Sequence, residues 1–357
     1  MKLIKQFDEH TIPGGTVFGH RTHLLDAWTR MPEIITLPDI KVIGGAFEIE
    51  LTDGDTNSLG YTNSTNNPIR LIKQRTNTQV PERYIYDARY EVDTNVGHYL
   101  IDTVTKILLA YQMLEINGKD RDKLVVIIRS KPDRIARELF STLGIPVIET
   151  DSNIIGNIFR TRVIPGTSTI RGGISYSDVS TIGIVKNTYM ANLKYRPVLK
   201  SPLGEKIFIS RKNTRRIENE DEVEDVLKRH GYEKVYFEDG QFSLDEQWSI
   251  VSSAKNIFAI HGAGLTAILF NGLRMAENSG TNMHKTKIVE LFGPGYFVGF
   301  FRSLAAALDL EWHGIRGKLT QEFVRDMEMM GGGRIHHNSN FTVDTFSVEQ
   351  MLAKIEG

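Results

Sequence analysis

Two histidines in this chain stand where a side chain can do chemistry, each with suitable neighbours at suitable spacing. His261-Gly262-Ala263-Gly264-Leu265-Thr266 follows the apolar run Ile257 to Ile260 and leads into a second apolar run with helical character. Glycines at a strand-to-helix turn let the backbone approach a guest closely. The first N–H groups of the helix point outward with the positive end of its dipole. A phosphate or diphosphate is the natural guest. Gly262-x-Gly264-x-x-Ala267 also fits the Ala-ended dinucleotide pattern, and a tight αβ turn without any ligand reads the same way. His98 lies three residues after Asn95 and four before Asp102, so all three share one face of a helix expected over Asn95 to Leu114. In the first turn the helix dipole disfavours an imidazolium, and Asp102 can hold the ring, as a general base requires. Asp102 is the alternative base, with His98 in a positioning role. An N-cap asparagine beside an ordinary histidine is the plainer reading of the same residues.

Two further groups fit an anion site. Ser210-Arg211 follows the strand Lys206 to Ser210, with Arg215 and Arg216 close behind. A guanidinium there would complete a diphosphate site through charge-assisted bidentate bonds, although a solvated basic loop has the same composition. Glu290 lies inside the apolar strand Ile288-Val-Glu-Leu-Phe292, where an unpaired carboxylate is expensive. A partner is therefore expected for it. One β-unit after the glycine turn is where dinucleotide folds keep the acid that accepts ribose hydroxyls. An edge strand with Glu290 facing water is the alternative.

The elements that must position these groups alternate. From Tyr84 onward, strands are expected at Tyr84–Tyr86, Leu124–Ile128, Pro146–Ile148 and Arg162–Pro165, with helices at Asn95–Leu114, Asp133–Leu143 and about Thr181–Leu193. A linker at Arg196 to Gly204 precedes a second series. Its strands are Lys206–Ser210, Lys234–Phe237, Ile257–Ile260 and Ile288–Leu291, and its helices Asn219–His230, Ser243–Ser253, Val298–Leu308 and Ser347–Ile355. This rhythm predicts an α/β fold with two Rossmann-like halves facing each other across a cleft. The boundaries expected are an N-terminal domain over 1–195, a C-terminal domain over 196–345, and a terminal helix, 346–357, crossing back to the N-terminal domain. Residues 1–80 carry one expected strand, Lys41 to Leu51, and a Thr/Asn/Gly-rich loop, Thr52 to Asn67.

Composition excludes several classes. Among 357 residues, 43 Lys and Arg balance 44 Asp and Glu, so no net field recruits nucleic acid or an anionic membrane. There is no cysteine, which rules out disulfides, thiolate metal sites and a cysteine nucleophile. The charged N-terminus lacks a signal peptide's apolar run and no stretch has membrane-spanning length, so a cytoplasmic protein, at most peripheral to a membrane, is expected. The sequons Asn63-Ser-Thr65 and Asn340-Phe-Thr342 carry little without secretion.

Taken in order, Asn95-x-x-His98-x-x-x-Asp102, Ile209-Ser-Arg211 with Arg216 and Asn219-Glu220, Phe242-Ser-Leu-Asp-Glu-Gln247, His261-Gly-Ala-Gly-Leu-Thr266 and Val289-Glu-Leu291 resemble glycosyltransferase family 61. That family includes extracellular protein O-GlcNAc transferase, plant xylan-decorating transferases and bacterial enzymes of surface-polysaccharide synthesis. The resemblance covers about 95 to 315. It implies a GT-B-like architecture with an acceptor-binding domain over 1–195 and a nucleotide-sugar-binding domain over 196–345, UDP as the expected nucleotide of the donor, and inversion at the anomeric carbon. It also implies a glycan or lipid-linked saccharide acceptor in capsule or lipopolysaccharide synthesis, and no cofactor. By the same resemblance Arg211, His261, Gly262, Ala263, Gly264 and Glu290 bind the donor, with Asn95, Ser210, Arg216, Leu265 and Thr266 in the same motifs. The stretch before Asn95 and the polar insertion 276–285 depart from the pattern. Donor sugar and acceptor therefore stay open.

Three other classes compete. A nucleotide-dependent oxidoreductase shares the glycine turn, but its fingerprint opens its domain, whereas here two βα units come first. An acyl hydrolase needs a Gly-x-Ser-x-Gly elbow, which does not occur. A non-catalytic nucleotide-sugar binder would hold donor without turnover. No Asp-x-Asp stands at an expected strand end, Asp53-Gly-Asp55 being assigned to the polar loop, so metal-free catalysis is expected.

Overall fold

The computed structural model of the chain describes residues 1–6, 10–13, 15–19, 33–37, 40–43, 46–55, 77–89, 95–164, 167–168, 176–198, 201–278, 285–295, 299–318, 320, 325 and 338–357. Its strands are β1 (Lys2–Gln6), β2 (His10–Ile12), β3 (Gly15–Gly19), β4 (Glu33–Leu37), β5 (Ile40–Ile43), β6 (Ala46–Asp55), β7 (Asn77–Asp87), β8 (Leu124–Ile128), β9 (Val147–Glu149), β10 (Asn153–Ile164) and β11 (Thr167–Ser168). They continue as β12 (Lys206–Ser210), β13 (Glu233–Tyr236), β14 (Asn256–Ile260), β15 (Lys287–Phe292) and β16 (Glu311–Arg316). The helices are α1 (Val96–His98), α2 (Thr105–Ile116), α3 (Arg134–Leu143), α4 (Tyr176–Asn192), α5 (Glu220–Arg229), α6 (Leu244–Ser253), α7 (Ile268–Glu277), α8 (Phe300–Ala307) and α9 (Thr345–Glu356). The chain divides into two compact units, residues 1–10 with 41–196, and residues 11–40 with 197–357.

In the first unit a six-stranded sheet has the order β1-β6-β10-β7-β8-β9. The pairs β10–β7, β7–β8 and β8–β9 are parallel, while β6 and β1 join antiparallel. Leu124 to Ile128 are all buried, as an unbroken apolar run in a parallel sheet requires. The expected helix from Asn95 is one rod of three pieces: α1, a π-turn over Tyr99–Val104, and α2. At the end of β7 a buried bidentate pair fixes the chain, Arg89 Nε donating to Asp87 Oδ1 at 2.9 Å and Nη2 to Oδ2 at 2.6 Å. The α3 helix starts on an Asp133 cap and stops at Gly144, whose φ of 67° closes the turn.

The second unit holds a seven-stranded sheet, β13-β12-β14-β15-β16-β3-β4. The first six run parallel and β4 is antiparallel. Numbered along the chain, the five from β12 to β16 lie in the order 2-1-3-4-5, so direction switches between β12 and β14. Alternation along the strands sends Phe208, Phe258, Ile260, Val289, Leu291 and Ile315 into one core with Val223, Val226 and Leu227 of α5 and Val348, Met351, Leu352 and Ile355 of α9. Glu290, between Val289 and Leu291, points to the opposite face.

Several expectations are corrected. Residues 11–40 leave the N-terminal unit, because β3 pairs with β16 and so covers an edge that would otherwise be unpaired. The strand β16 had no counterpart in the expected elements. The terminal helix does not return to the N-terminal half: its apolar face is buried in the core of the second unit, and Glu356 takes Lys206 and His230 as partners. The single strand expected over Lys41 to Leu51 is split between β5 and β6. Asp53 and Asp55 lie in β6, paired with β10, and not in a loop. The rest of the Thr52–Asn67 loop, the first sequon and residues 279–284 of the insertion lie outside the described residues.

Candidate functional site

The strand order switches between β12 and β14, the place where open α/β sheets take ligands beyond their C-terminal strand ends, and the segments that follow Ser210 and Ile260 lie there. Those segments begin with Arg211 and His261. After β14 the His261 N–H donates to the Leu291 carbonyl at 2.8 Å, and the chain enters a 3₁₀ turn over Ala263–Ala267 before α7. The helical character expected of the apolar run after the glycines is therefore realised as α-helix only from Ile268. The first bond of the turn runs from Leu265 N–H to Gly262 C=O at 3.0 Å, so the amides of Ala263 and Gly264 precede the turn's own hydrogen bonding.

The two glycines serve different neighbours. A Cβ on Gly262 would collide with the Arg211 guanidinium, so the bare backbone is what lets Arg211 lie against the turn. A Cβ on Gly264 would stand 3.1 Å from Phe237 Cδ2, so this glycine lets the turn close on the ring that follows β13. Thr266 is buried, and its hydroxyl has no hydrogen-bond partner among the described residues.

Arg211 is held on three sides. Its Nη2 pairs with Glu238 Oε1 at 2.6 Å, its Nε donates to the Thr214 carbonyl at 2.9 Å, and its Nη1 reaches the His261 carbonyl at 3.4 Å. Arg215, in a left-handed conformation with φ 60°, donates from Nη1 to the same carbonyl at 3.2 Å. Burial pulls the Arg211 guanidinium below its ordinary value, Glu238 opposes this, and Arg215 adds to it; an arginine stays charged regardless. Two like charges gathered on one carbonyl beside a glycine turn make a positive locus. The Arg216 side chain is exposed, while its amide donates to Asn340 Oδ1 at 3.0 Å and fixes the loop. Ser210 is turned inward and donates to Glu220, which also accepts from the Tyr236 hydroxyl at 2.9 Å.

Glu290 is 1% exposed, and both of its oxygens are engaged. One accepts from His261 Nδ1, the other from Trp312 Nε1 at 2.8 Å. The expected partner thus exists and is double. The carboxylate places the His261 proton on Nδ1 and leaves Nε2 as the basic end of the ring. Phe301 packs edge-on against that ring with centroids 5.2 Å apart.

In the first unit, Asn95 caps the helix, its Oδ1 accepting from Gly97 N–H at 2.8 Å and His98 N–H at 3.4 Å. His98 Nδ1 meets Asp102 Oδ2 at 2.8 Å, with the His98 side chain 47% and the Asp102 side chain 24% exposed. Asp102 lies within the π-turn, a local widening of the helix that often accompanies functional side chains. Sequence reasoning missed Glu238, Trp312 and the Asp87–Arg89 pair. Glu238 sits in a loop with no motif, and Trp312 in a strand whose single polar-flanked apolar run resembles loop.

A largely parallel open sheet with a glycine turn and two arginines at its switch point defines an α/β protein. The family described as Glycosyltransferase 61 matches residues 69–283, more than half of the chain. The chain belongs to that family and is with it a glycosyltransferase, whose substrates are a nucleotide-sugar donor and an acceptor. A search of curated proteins finds no match. Among solved structures, a glycosyl transferase of family 9 from Veillonella parvula is similar over 77% of this chain and 96% of that one, at 10% identity and a TM-score of 0.34, too low to carry an argument. No helix among the described residues is long and apolar enough to cross a membrane.

Proposed function

We propose that the chain is an inverting glycosyltransferase of GT-B-like organisation that moves a sugar from a UDP-sugar to a hydroxyl of a glycan or lipid-linked saccharide in surface-polysaccharide synthesis. It acts in the cytoplasm and takes no nucleic acid. The donor belongs to the second unit and the acceptor base to the first. The observation that carries the donor assignment is the convergence of Arg211 and Arg215 on the His261 carbonyl beside the Gly262–Leu265 turn. A leaving diphosphate develops charge, and preorganised cations with outward amides offset it. The base assignment is supported by the His98–Asp102 hydrogen bond on an exposed helix start. In a direct displacement the acceptor hydroxyl loses its proton as it attacks, and an imidazole held through Nδ1 can take it at Nε2. Glu290 is assigned to the donor site, where its oxygens accept from His261 Nδ1 and Trp312 Nε1 and the carboxylate's remaining lone pairs are those a ribose hydroxyl would use.

A thermal-shift screen against UDP, GDP, CMP and NAD tests the reading. Ligand at a hundred times its Kd should add about 2.7 kcal/mol of stability. Stabilisation by UDP is expected, and a shift with NAD and none with the others would contradict it.

A further inference from the structure

We infer that Trp312 is a positioning residue for the donor site, acting through Glu290 and His261 on Arg211 and Arg215; the inference rests on the donor reading above. A carboxylate held at one oxygen can still turn about its terminal torsion, and one held at both cannot. Glu290 is held at both, by His261 Nδ1 and by Trp312 Nε1 at 2.8 Å. The His261 ring is thereby fixed from below, and its backbone is fixed by the 2.8 Å bond to the Leu291 carbonyl. This doubly held residue offers the carbonyl on which Arg215, at 3.2 Å, and Arg211, at 3.4 Å, converge.

The sheet makes room for the indole with two missing side chains. Gly314 stands opposite Glu290 in register, and a Cβ there would lie 3.1 Å from Trp312 Cη2 and 2.8 Å from Phe292 Cε1. On the next strand, a Cβ on Gly15 would lie 2.9 Å from both Trp312 Cε3 and Cζ3. Neither glycine has a left-handed φ, so space and not backbone freedom explains them. Gly15 belongs to β3, so the segment 11–40 reaches the donor site through the seat of this indole.

The test uses the full-length protein, with UDP as probe and histidine-selective ¹⁵N NMR of His261, assigned with His261→Asn. Trp312→Phe keeps an aromatic ring and removes the indole donor; Gly15→Ala keeps the indole and crowds its seat. Each should weaken UDP binding roughly 10- to 100-fold, the worth of a hydrogen bond to a charged group, and shift the His261 Nδ1 resonance. The double variant should lose no more than the worse single one, as coupled neighbours do. Wild-type UDP affinity and an unchanged His261 signal in both single variants would overturn the inference. Should Trp312→Phe not fold, Gly15→Ala alone decides. Should the wild type bind no UDP, the donor reading fails, while an unmoved His261 signal would separately overturn the positioning role.

Discussion

At the scale of single residues, the site is a set of charges, each with a stated partner, so substitutions have distinct consequences. A glutamine at position 290 keeps one acceptor oxygen for two donors, His261 Nδ1–H and Trp312 Nε1–H. One buried donor then goes unsatisfied, and Glu290→Gln should cost about 1–3 kcal/mol of stability in a chemical melt and weaken nucleotide binding with it. An unchanged melt would mean that the carboxylate is not the shared acceptor. For the base, His98→Ala should lower kcat by roughly 10²- to 10⁴-fold with donor affinity retained, and Asp102→Asn should cost less. A larger loss in Asp102→Asn would make the aspartate the base. Much of this chemistry was legible in the sequence, since Arg211, His261 and Glu290 stand at strand ends and strand centres that alternation alone locates. Their partners were not. Trp312 and Glu238 act across the sheet and between loops, and one-dimensional spacing carries no signal for a contact between neighbouring strands.

At the scale of elements, the regular αβ pieces were foreseeable because caps and periodicity mark them locally. Asp133 and Gly144 bracket α3, and Ser243 with Glu246 forms a capping box at α6. The π-turn around Asp102 was not foreseeable, because Tyr99, Leu100, Ile101, Thr103 and Val104 are all buried and a segment buried nearly all round shows no period that an added residue could break. The position of α9 was also misjudged, since its amphipathic pattern says that a face is buried and not against what. Its seat on the second unit has a pH signature. Burial alone would raise the Glu356 carboxyl, but the hydrogen bonds from Lys206 at 2.6 Å and His230 at 2.8 Å outweigh it and hold it below the usual glutamate value. A depressed pKa stabilises the fold above the ordinary glutamate value, and that contribution is lost as pH falls through the depressed one. Acid unfolding monitored by circular dichroism should therefore set in at higher pH for the wild type than its neutral-pH margin over Glu356→Gln implies, the two converging in acid. Parallel curves at all pH values would refute the role of Glu356.

At the scale of the whole molecule, the second unit is discontinuous in sequence, and this was the least legible feature. No local pattern in residues 11–40 says that β3 will pair with β16, because parallel pairing across some three hundred residues is a tertiary choice. A fragment spanning 197–357 without residues 11–40 leaves β16 as an apolar edge and should self-associate in size-exclusion chromatography, whereas adding 11–40 in trans or by fusion should restore a monomer-sized species. A soluble monomer without 11–40 would show the edge to be covered some other way. The central claim, that the arginine-lined glycine turn holds the donor diphosphate, meets its most direct test in calorimetric titration of UDP into wild type and Arg211→Ala, with folding checked by thermal melting. Loss of a charge-assisted contact should weaken binding about 10-fold or more in a variant that melts like the wild type. Equal UDP affinity in the two proteins would contradict the account.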